Sequence, residues 1–403
     1  MPVVQSVRPV LLSAPYADAE NLERRRHLTS GYRTVGMVEI TFADGSTGLG
    51  EGYLAVFAPL VFAEMVKLLA PTVIGREGDA ISARLIDLSR MTDYWSLTGA
   101  ARHVIAAFEI ALVDAKAKRL GVPAMDLFGG RTVDRIALYG SGGDSTTPAA
   151  MQREIGLLAG RGITLFKIRA RREEVDKAAW TLEQAGEAGI AVAIDMTQNL
   201  ANPAQTVSDV IAFVEAVHGR TARRIAFLEE ALGPADIDSY RLLRGRLATK
   251  IAGGEIVTTP DELCRRVAAG LYDLVQPDAT VLGGISATME VFAAARRAGC
   301  ETVVHNWGGA ACLGANYTAA FAGGARLAEW PMPDFALRDG LLAAPLSITD
   351  GFLSAPTAPG IGVTLTPEIE ASYAFRPDAV YDCMGAGAAI DPAAWRAMGS
   401  SSS

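Results

Sequence analysis

Charged side chains stand at the ends of short, β-branched runs in the second half of this sequence. They are Lys167, Arg169, Asp195, Glu229, Glu255, Asp278, His305 and Glu329. In a parallel barrel the carboxyl ends of the strands share one face, and active sites are built on that face. Lys167 and Arg169 are two residues apart, so they point to the same side of their strand. The set therefore predicts one polar site.

The carboxylates Asp195, Glu229 and Glu255 close three consecutive runs. Buried together, they repel each other severely unless a cation is present. Mg²⁺ prefers oxygen ligands in octahedral geometry and keeps positions for water or substrate. Nitrogen and sulfur ligands are missing from these three positions, which disfavours zinc. We therefore predict a Mg²⁺ site with these acids as ligands and room for a substrate carboxylate.

Eight apolar runs alternate with amphipathic stretches after Gly130. The runs are IALYGS, LFKIRA, VAIDM, IAFLEE, KIAGGE, DLVQPD, TVVHN and RLAEW. This rhythm predicts an α/β barrel of the TIM type. A doubly wound sheet is the alternative, but the chain has no glycine-rich phosphate fingerprint to support it.

The first part of the chain has a different pattern. Residues 1–60 alternate as strands around a hairpin signal at Asp44-Gly45, and residues 59–127 become helical. We predict an α+β capping domain over residues 1–130 and the barrel over residues 131–350. Residues 351–403 are expected to pack back on the first domain and to end in a loose tail.

Composition excludes several classes of function. The net charge of −8 over 403 residues argues against a general nucleic-acid binder. The N-terminus lacks the pattern of a signal peptide, and the apolar stretches are too short to span a bilayer. The four cysteines form no C-x-x-C pair, which suits a reducing compartment. We expect a cytoplasmic homo-oligomer that binds a small-molecule carboxylate, without nucleic-acid or membrane partners.

Residues 1–365 resemble the enolase superfamily, and within it the mandelate racemase/muconate lactonizing enzyme group. The most specific pieces are AAFEIALVDAKAKRLGVPAMDLFGG (106–130), the Lys-x-Arg pair, the ordered acids, and Asp278 with His305. The resemblance implies a modified (β/α)7β barrel beneath an N-terminal α+β capping domain. It also implies that Asp195, Glu229 and Glu255 bind Mg²⁺, that Lys167 faces the substrate carboxylate, that Asp278 and His305 form the general base, and that Glu329 hydrogen-bonds the enolate.

Elementary chemistry agrees with these implied roles. Removal of a proton next to a carboxylate creates an enediolate, which nearby positive charge and a protonated acid stabilise as it forms. An imidazole such as His305 is a suitable base near neutral pH, and a carboxylate orients it. In the surrounding segments, His27 and Trp307 are candidates for substrate binding.

One departure from the family pattern decides between reactions. Arg169 stands where many members have a second lysine base, and arginine stays protonated. A site with one base favours β-elimination of water, so we predict a Mg²⁺-dependent sugar-acid dehydratase that forms a 2-keto-3-deoxy acid. A cycloisomerase of an aldarolactone and a racemase or epimerase remain alternatives. A non-catalytic sugar-acid-binding homologue is the alternative of another class. Thr197 and Ala231 also differ from the residues usual in the family.

Overall fold

The computed structural model describes residues 2–385 and 390–396. Its elements form an N-terminal α+β part, a parallel barrel and a C-terminal segment, in chain order. The predicted fold class, a modified TIM-type barrel with an α+β capping domain, is confirmed. The predicted loose tail, beyond Arg396, lies outside the described residues.

The capping part contains a three-stranded antiparallel sheet and five helices. The strands are β1 (Val4–Pro15), β2 (Tyr32–Phe42) and β3 (Thr47–Glu51), and the helices are α1 (Leu22–His27), α2 (Leu54–Phe57), α3 (Pro59–Val73), α4 (Ile81–Ser96) and α5 (Ala100–Leu120). A 3₁₀ turn follows at Ala124–Phe128. The predicted hairpin joins β2 to β3. Its Gly45 has a φ of 82°, and Ser46 N donates to Asp44 Oδ1 at 2.9 Å.

Helix α5 lies directly on β3 because that strand carries glycines. A Cβ atom on Gly50 would stand 2.1 Å from the carbonyl oxygen of Ala107, so only glycine permits this approach. The other side of α5 faces the barrel. There the buried Glu109 accepts hydrogen bonds from Ile285 N and Ser286 N at 2.9 and 3.0 Å. This contact fixes the capping part on the barrel.

Eight parallel strands build the barrel. They are β4 (Arg135–Gly142), β5 (Leu165–Arg169), β6 (Ala191–Asp195), β7 (Ile225–Glu229), β8 (Lys250–Gly253), β9 (Leu274–Val275), β10 (Glu301–Thr302) and β11 (Leu327–Pro331). Strands β4 to β10 pair in chain order, and β11 pairs with β4. All eight predicted strands are therefore present, and seven neighbouring pairs among them are hydrogen-bonded.

Helices connect successive strands. They are α6 (Pro148–Gly160), α7 (Val175–Glu187), α8 (Val207–His218), α9 (Ile237–Arg246), α10 (Pro260–Ala268), α11 (Ala279–Leu282), α12 (Ile285–Ala298) and α13 (Ala310–Gly323), with a 3₁₀ turn at Gln198–Leu200. The first helical element after β11 is the single turn α14 (Ala336–Asp339). The barrel is thus of the (β/α)7β kind, because its last strand lacks a full helical partner.

The inside of the barrel places the polar strand ends above an apolar layer. That layer is a separate buried cluster of Tyr139, Ala193, Phe227, Ala252, Leu274 and Val303. Side chains two residues apart on a strand share one face. Asp195, Glu229 and His305 each stand two residues beyond a member of this layer. Strand periodicity therefore directs them into the mouth of the barrel.

The C-terminal segment contains β12 (Ile348–Thr349), β13 (Phe352–Ser354), α15 (Pro367–Ser372) and α16 (Pro392–Arg396). Strand β13 pairs with the beginning of β4. Farther on, Thr34 Oγ1 donates to Ala379 O at 2.7 Å, and Ser13 N donates to Tyr373 O at 2.9 Å. The segment therefore contacts the capping sheet, while the exact domain boundaries stay a prediction. In the part of the chain that is described, no helix is long and apolar enough to cross a membrane.

Candidate active site

One cavity at the mouth of the barrel is lined from three parts of the chain. The barrel contributes Lys167, Arg169, Asp195, Glu255, His305 and Trp307, the capping part contributes Glu23, His27 and Tyr53, and the C-terminal segment contributes Tyr381. Glu229, Asp278 and Glu329 are fully buried behind this lining. The structure thus brings all the sequence-predicted site residues to one end of the barrel, in two shells.

Asp278 holds His305 in a fixed orientation. His305 Nδ1 lies 2.8 Å from Asp278 Oδ2. The other oxygen, Oδ1, accepts hydrogen bonds from Thr280 N at 2.8 Å and from Asn316 Nδ2 at 3.0 Å. Burial alone would raise the pKa of Asp278, but the hydrogen bonds from His305, Asn316 and Thr280 keep it below its usual value. Asp278 is therefore a fixed negative charge that orients the imidazole.

His305 directs its other nitrogen, Nε2, toward Glu255 Oε2 at 3.5 Å. Burial lowers the pKa of His305, but the negative charges of Glu255, Glu329 and Asp278 outweigh burial and raise it to about 10. The sequence predicts a base near neutral pH. In this arrangement the neighbouring carboxylates favour the protonated imidazole, and Glu255 has the largest effect among them.

Lys167 lies between two buried acids. Its Nζ donates to Glu229 Oε1 and lies 2.8 Å from Glu329 Oε1. Burial opposes the charged ammonium, but these acids raise the pKa of Lys167 well above its usual value. Lys167 is therefore a permanent cation at the floor of the cavity.

Each of the three predicted metal ligands has a protein partner. Glu229 accepts hydrogen bonds from Lys167 and Gln276, Asp195 Oδ1 accepts from Thr197 N at 2.7 Å, and Glu255 Oε1 accepts from Asn199 Nδ2 at 2.6 Å. Across residues 2–385 and 390–396, no three acidic, histidine or cysteine side chains form a group ready to hold a metal ion. The predicted Mg²⁺ site stays a prediction.

The chemistry of these donors still fits a hard cation. All three offer only oxygen, and the neighbours Asp195 and Glu229 are directly paired across β6 and β7. Burial raises the pKa of Glu229 to about 8, and the charges of Asp195 and Glu255 add to the effect of burial against the pull of Lys167. Burial likewise raises the pKa of Glu255. A divalent cation would relieve this repulsion.

Arg169 is enclosed by acids. Its Nη1 donates to Asp144 Oδ2, lies 3.4 Å from Glu23 Oε2, and its Nε lies 3.4 Å from Asp195 Oδ2. Burial lowers the pKa of Arg169, but Asp144, Glu23 and Asp195 raise it well above its usual value. Its guanidinium also stacks over Trp307, 4.3 Å from the ring centroid. Arg169 is therefore fixed and charged, and it has no route to act as a base.

Glu23 and Asp144 were not singled out from the sequence. Glu23, on α1, accepts hydrogen bonds from Tyr16 Oη at 2.7 Å and from Trp307 Nε1 at 3.0 Å. Asp144 follows β4 after Gly142 and Gly143, at a strand end for which no polar residue was predicted. Asp144 was predictable in the same way as the other site residues, because it lies just beyond the carboxyl end of a barrel strand. Glu23 was not, because it reaches the site only through the packing of α1 on the barrel.

The two predicted substrate-binding residues have different surroundings. His27 lines the cavity with its ring stacked on Tyr381, at 4.7 Å between centroids, and its Nδ1 lies 2.7 Å from Asp382 O. Trp307 is buried. Its Nε1 donates a hydrogen bond to Glu23, and its ring stacks against the guanidinium group of Arg169. Substrate binding by either residue stays a prediction.

A capped barrel with acidic strand ends and a histidine–aspartate pair defines the enolase-like class of barrel enzymes. The family model "Mandelate racemase / muconate lactonizing enzyme, N-terminal domain" matches residues 24–129, and "Enolase C-terminal domain-like" matches residues 150–369. The chain belongs to the mandelate racemase/muconate lactonizing enzyme group of the enolase superfamily, as the resemblance in its sequence predicts.

Curated relatives and solved structures carry more than one activity. D-gluconate dehydratase of Thermoproteus tenax is 26% identical over 402 residues, covering 94% of this chain and 76% of the relative. The 3,6-anhydro-alpha-L-galactonate cycloisomerase of Streptomyces coelicolor is 29% identical, covering 81% and 88%. A racemase structure from Streptomyces coelicolor A3(2) with bound magnesium has a TM-score of 0.78 at 25% identity, covering 92% and 99%. These relatives therefore support the chemistry of the superfamily in general, and they do not single out one reaction.

Proposed function

We propose that the protein removes the α-proton of a sugar-acid carboxylate and eliminates water to form a 2-keto-3-deoxy acid. The observation that carries this proposal is the Asp278–His305 pair, at 2.8 Å, beside Lys167 in one cavity. A base and a permanent cation are the two groups that proton removal next to a carboxylate requires.

Lys167 would bind the substrate carboxylate and stabilise the charge that develops on it. Its ammonium is already held by Glu229 and Glu329, so little reorganisation is needed during the reaction. Glu329 would form a hydrogen bond with the enolate oxygen, as the resemblance implies. Its Oε2 accepts a hydrogen bond from Asn306 N at 2.6 Å, which fixes the carboxyl group beside His305.

Mg²⁺ is the proposed cofactor, held by Asp195, Glu229 and Glu255. When bound, it would supply positive charge beside the substrate carboxylate. The all-oxygen donor set and the raised pKa of Glu229 support this assignment. A cation held by Glu255 would reduce the negative charge that faces His305 Nε2, 3.5 Å from Glu255 Oε2.

Elimination is favoured over racemisation because the acids around Arg169 keep its guanidinium group protonated. Racemisation needs a competent base on each face of the substrate, and the acids around Arg169 keep it charged. His305 would then remove the α-proton and return it to the leaving hydroxyl group. In this proposal Arg169 binds substrate oxygens on the side of the cavity that Glu23 and Asp144 line.

Cycloisomerisation is the second candidate, because cycloisomerases occur among the curated relatives. It uses the same proton transfer but releases a carboxylate or alkoxide within the molecule instead of water. A panel of aldonic and aldaric acids and their lactones, incubated with the protein and Mg²⁺, distinguishes the two. Formation of a 2-keto acid from open-chain acids supports the dehydratase. Consumption of lactones alone supports the cycloisomerase.

A protein that binds sugar acids without turnover is the remaining alternative. It predicts saturable binding with neither product formation nor α-proton exchange. A panel in which no acid and no lactone is converted, with binding intact, would therefore reject both catalytic proposals.

A further inference from the structure

Three cations stand at alternate positions along and just beyond β5. They are Lys167, Arg169 and Arg171. The first is held by Glu229 and Glu329, and the second by Glu23, Asp144 and Asp195. Inside the protein such charges require partners. The two inner cations are therefore balanced by the protein itself.

Arg171 differs from the other two. Among the described residues, no carboxylate lies within salt-bridge distance of its guanidinium group. Its side chain is half-buried, and its Nε donates to Thr197 Oγ1 at 3.0 Å. That bond fixes the direction of the guanidinium while its other nitrogens have no partner among these residues. Arg171 is therefore a positioned cation without a counter-charge.

The position of Arg171 is at the outer end of the active-site cavity. It lines that cavity together with Lys167, and it also lines an adjoining polar cavity formed with Gln198 and Gln205. Lys167 and Arg171 are four residues apart, and Arg171 lies two residues beyond the end of β5. A substrate that contacts both has to reach from Lys167 to the outer end of the cavity, which favours a chain of several carbons.

We infer that Arg171 binds a second carboxylate, at the far end of a dicarboxylic sugar acid whose first carboxylate lies at Lys167. This inference rests on the proposed function. Arginine is suited to the role because its planar guanidinium meets both oxygens of a carboxylate at once. Glu174 Oε2 accepts a hydrogen bond from Arg171 N at 2.8 Å, so this oxygen is directed at the backbone.

Thr197 acts here as a positioning residue. It has a φ of 48°, which is strained for a β-branched residue, and its hydroxyl accepts the hydrogen bond from Arg171 Nε. Its type also departs from the asparagine usual in the family. Thr197→Ser keeps the hydroxyl and should retain the preference for diacids, whereas Thr197→Val should weaken it through KM.

The test compares six-carbon diacids with monoacids of the same configuration. The wild-type protein should favour the diacid in kcat/KM. Arg171→Gln should lower kcat/KM for the diacid about 10- to 100-fold, the range of a lost charge-assisted hydrogen bond, and should lower kcat/KM for the monoacid much less. Arg241→Gln is the control, because Arg241 is exposed and pairs with Asp238. This substitution should change kcat/KM for neither substrate.

Equilibrium binding gives a readout that does not depend on turnover. In a His305→Asn background, titration calorimetry should show the same loss of diacid affinity on Arg171→Gln. Equal effects on diacid and monoacid, or a wild-type preference for the monoacid, would overturn the inference. If monoacids are dehydrated normally, the proposed function survives that result. If no acid exchanges its α-proton, the proposed function itself fails.

Discussion

His305 Nδ1 and Asp278 Oδ2 lie 2.8 Å apart, and Asp278 is in turn fixed by Thr280 and Asn316. Nδ1 therefore carries the proton that this bond needs, which leaves Nε2 to face the cavity. The base is thus oriented by groups that never touch the substrate.

Asp278→Asn should abolish most of the activity. The amide can present its NH₂ group to Nδ1, which favours the wrong tautomer, so kcat should fall at least ~100-fold. Steady-state kinetics measures this, with circular dichroism to confirm folding. A folded variant that keeps more than a third of the wild-type kcat would remove Asp278 from the mechanism.

Glu23→Gln should destabilise the protein. The variant leaves Arg169 with one fewer carboxylate and weakens the contacts of Tyr16 and Trp307, so the free energy of unfolding should fall by about 1 to 3 kcal/mol. Glu20→Gln is the control, because Glu20 forms only an exposed pair with Arg153 and should cost less than ~0.5 kcal/mol. Equal losses in urea unfolding would mean that Glu23 does not join the cap to the barrel.

His103 should make stability depend on pH. Burial lowers its pKa from 6.5 to about 4, so the unfolded chain binds a proton more readily than the folded chain between these values. Its contribution to stability is complete above pH 6.5 and is lost as the pH falls toward 4. The loss should be on the order of 1 to 3 kcal/mol. Unfolding of His103→Gln should depend less on pH over this window; an unchanged slope would contradict the assignment.

Mg²⁺ should stabilise the folded protein through Glu229. Binding at 100 times the dissociation constant adds about 2.7 kcal/mol, which raises the unfolding midpoint in calorimetry. Glu229→Gln should lose this shift. Glu230→Gln is the adjacent control, since Glu230 is buried and accepts a hydrogen bond from Gly254 N at 2.8 Å. A full Mg²⁺ shift in the Glu229 variant would show that the ion binds elsewhere.

The barrel and most of its polar face follow from sequence periodicity. Each strand run alternates, and its last inward residue is predictable, as Lys167, Asp195 and Glu229 demonstrate. These positions depend on local strand geometry, which a single sequence carries. The hairpin at Asp44-Gly45 and the end of α5 at Gly121 are predictable for the same reason, because both turns need a glycine.

The side-chain pairing within the site was not predictable. Glu229 accepts hydrogen bonds from Lys167 and Gln276, and Arg169 forms ion pairs with Asp144 and Glu23. These choices depend on distances between elements far apart in the chain. The same is true of the pKa of His305, which rises to about 10 because two other strand ends bring Glu255 and Glu329 beside it.

The central claim is that His305 removes an α-proton beside a bound cation. The most direct measurement is proton NMR of a sugar acid incubated in D₂O with the protein and Mg²⁺. The account predicts deuterium at the α-carbon or in the 2-keto product for the wild-type protein. It predicts none for His305→Asn and none after Mg²⁺ is chelated. Exchange that continues without His305, or without the metal, would contradict it.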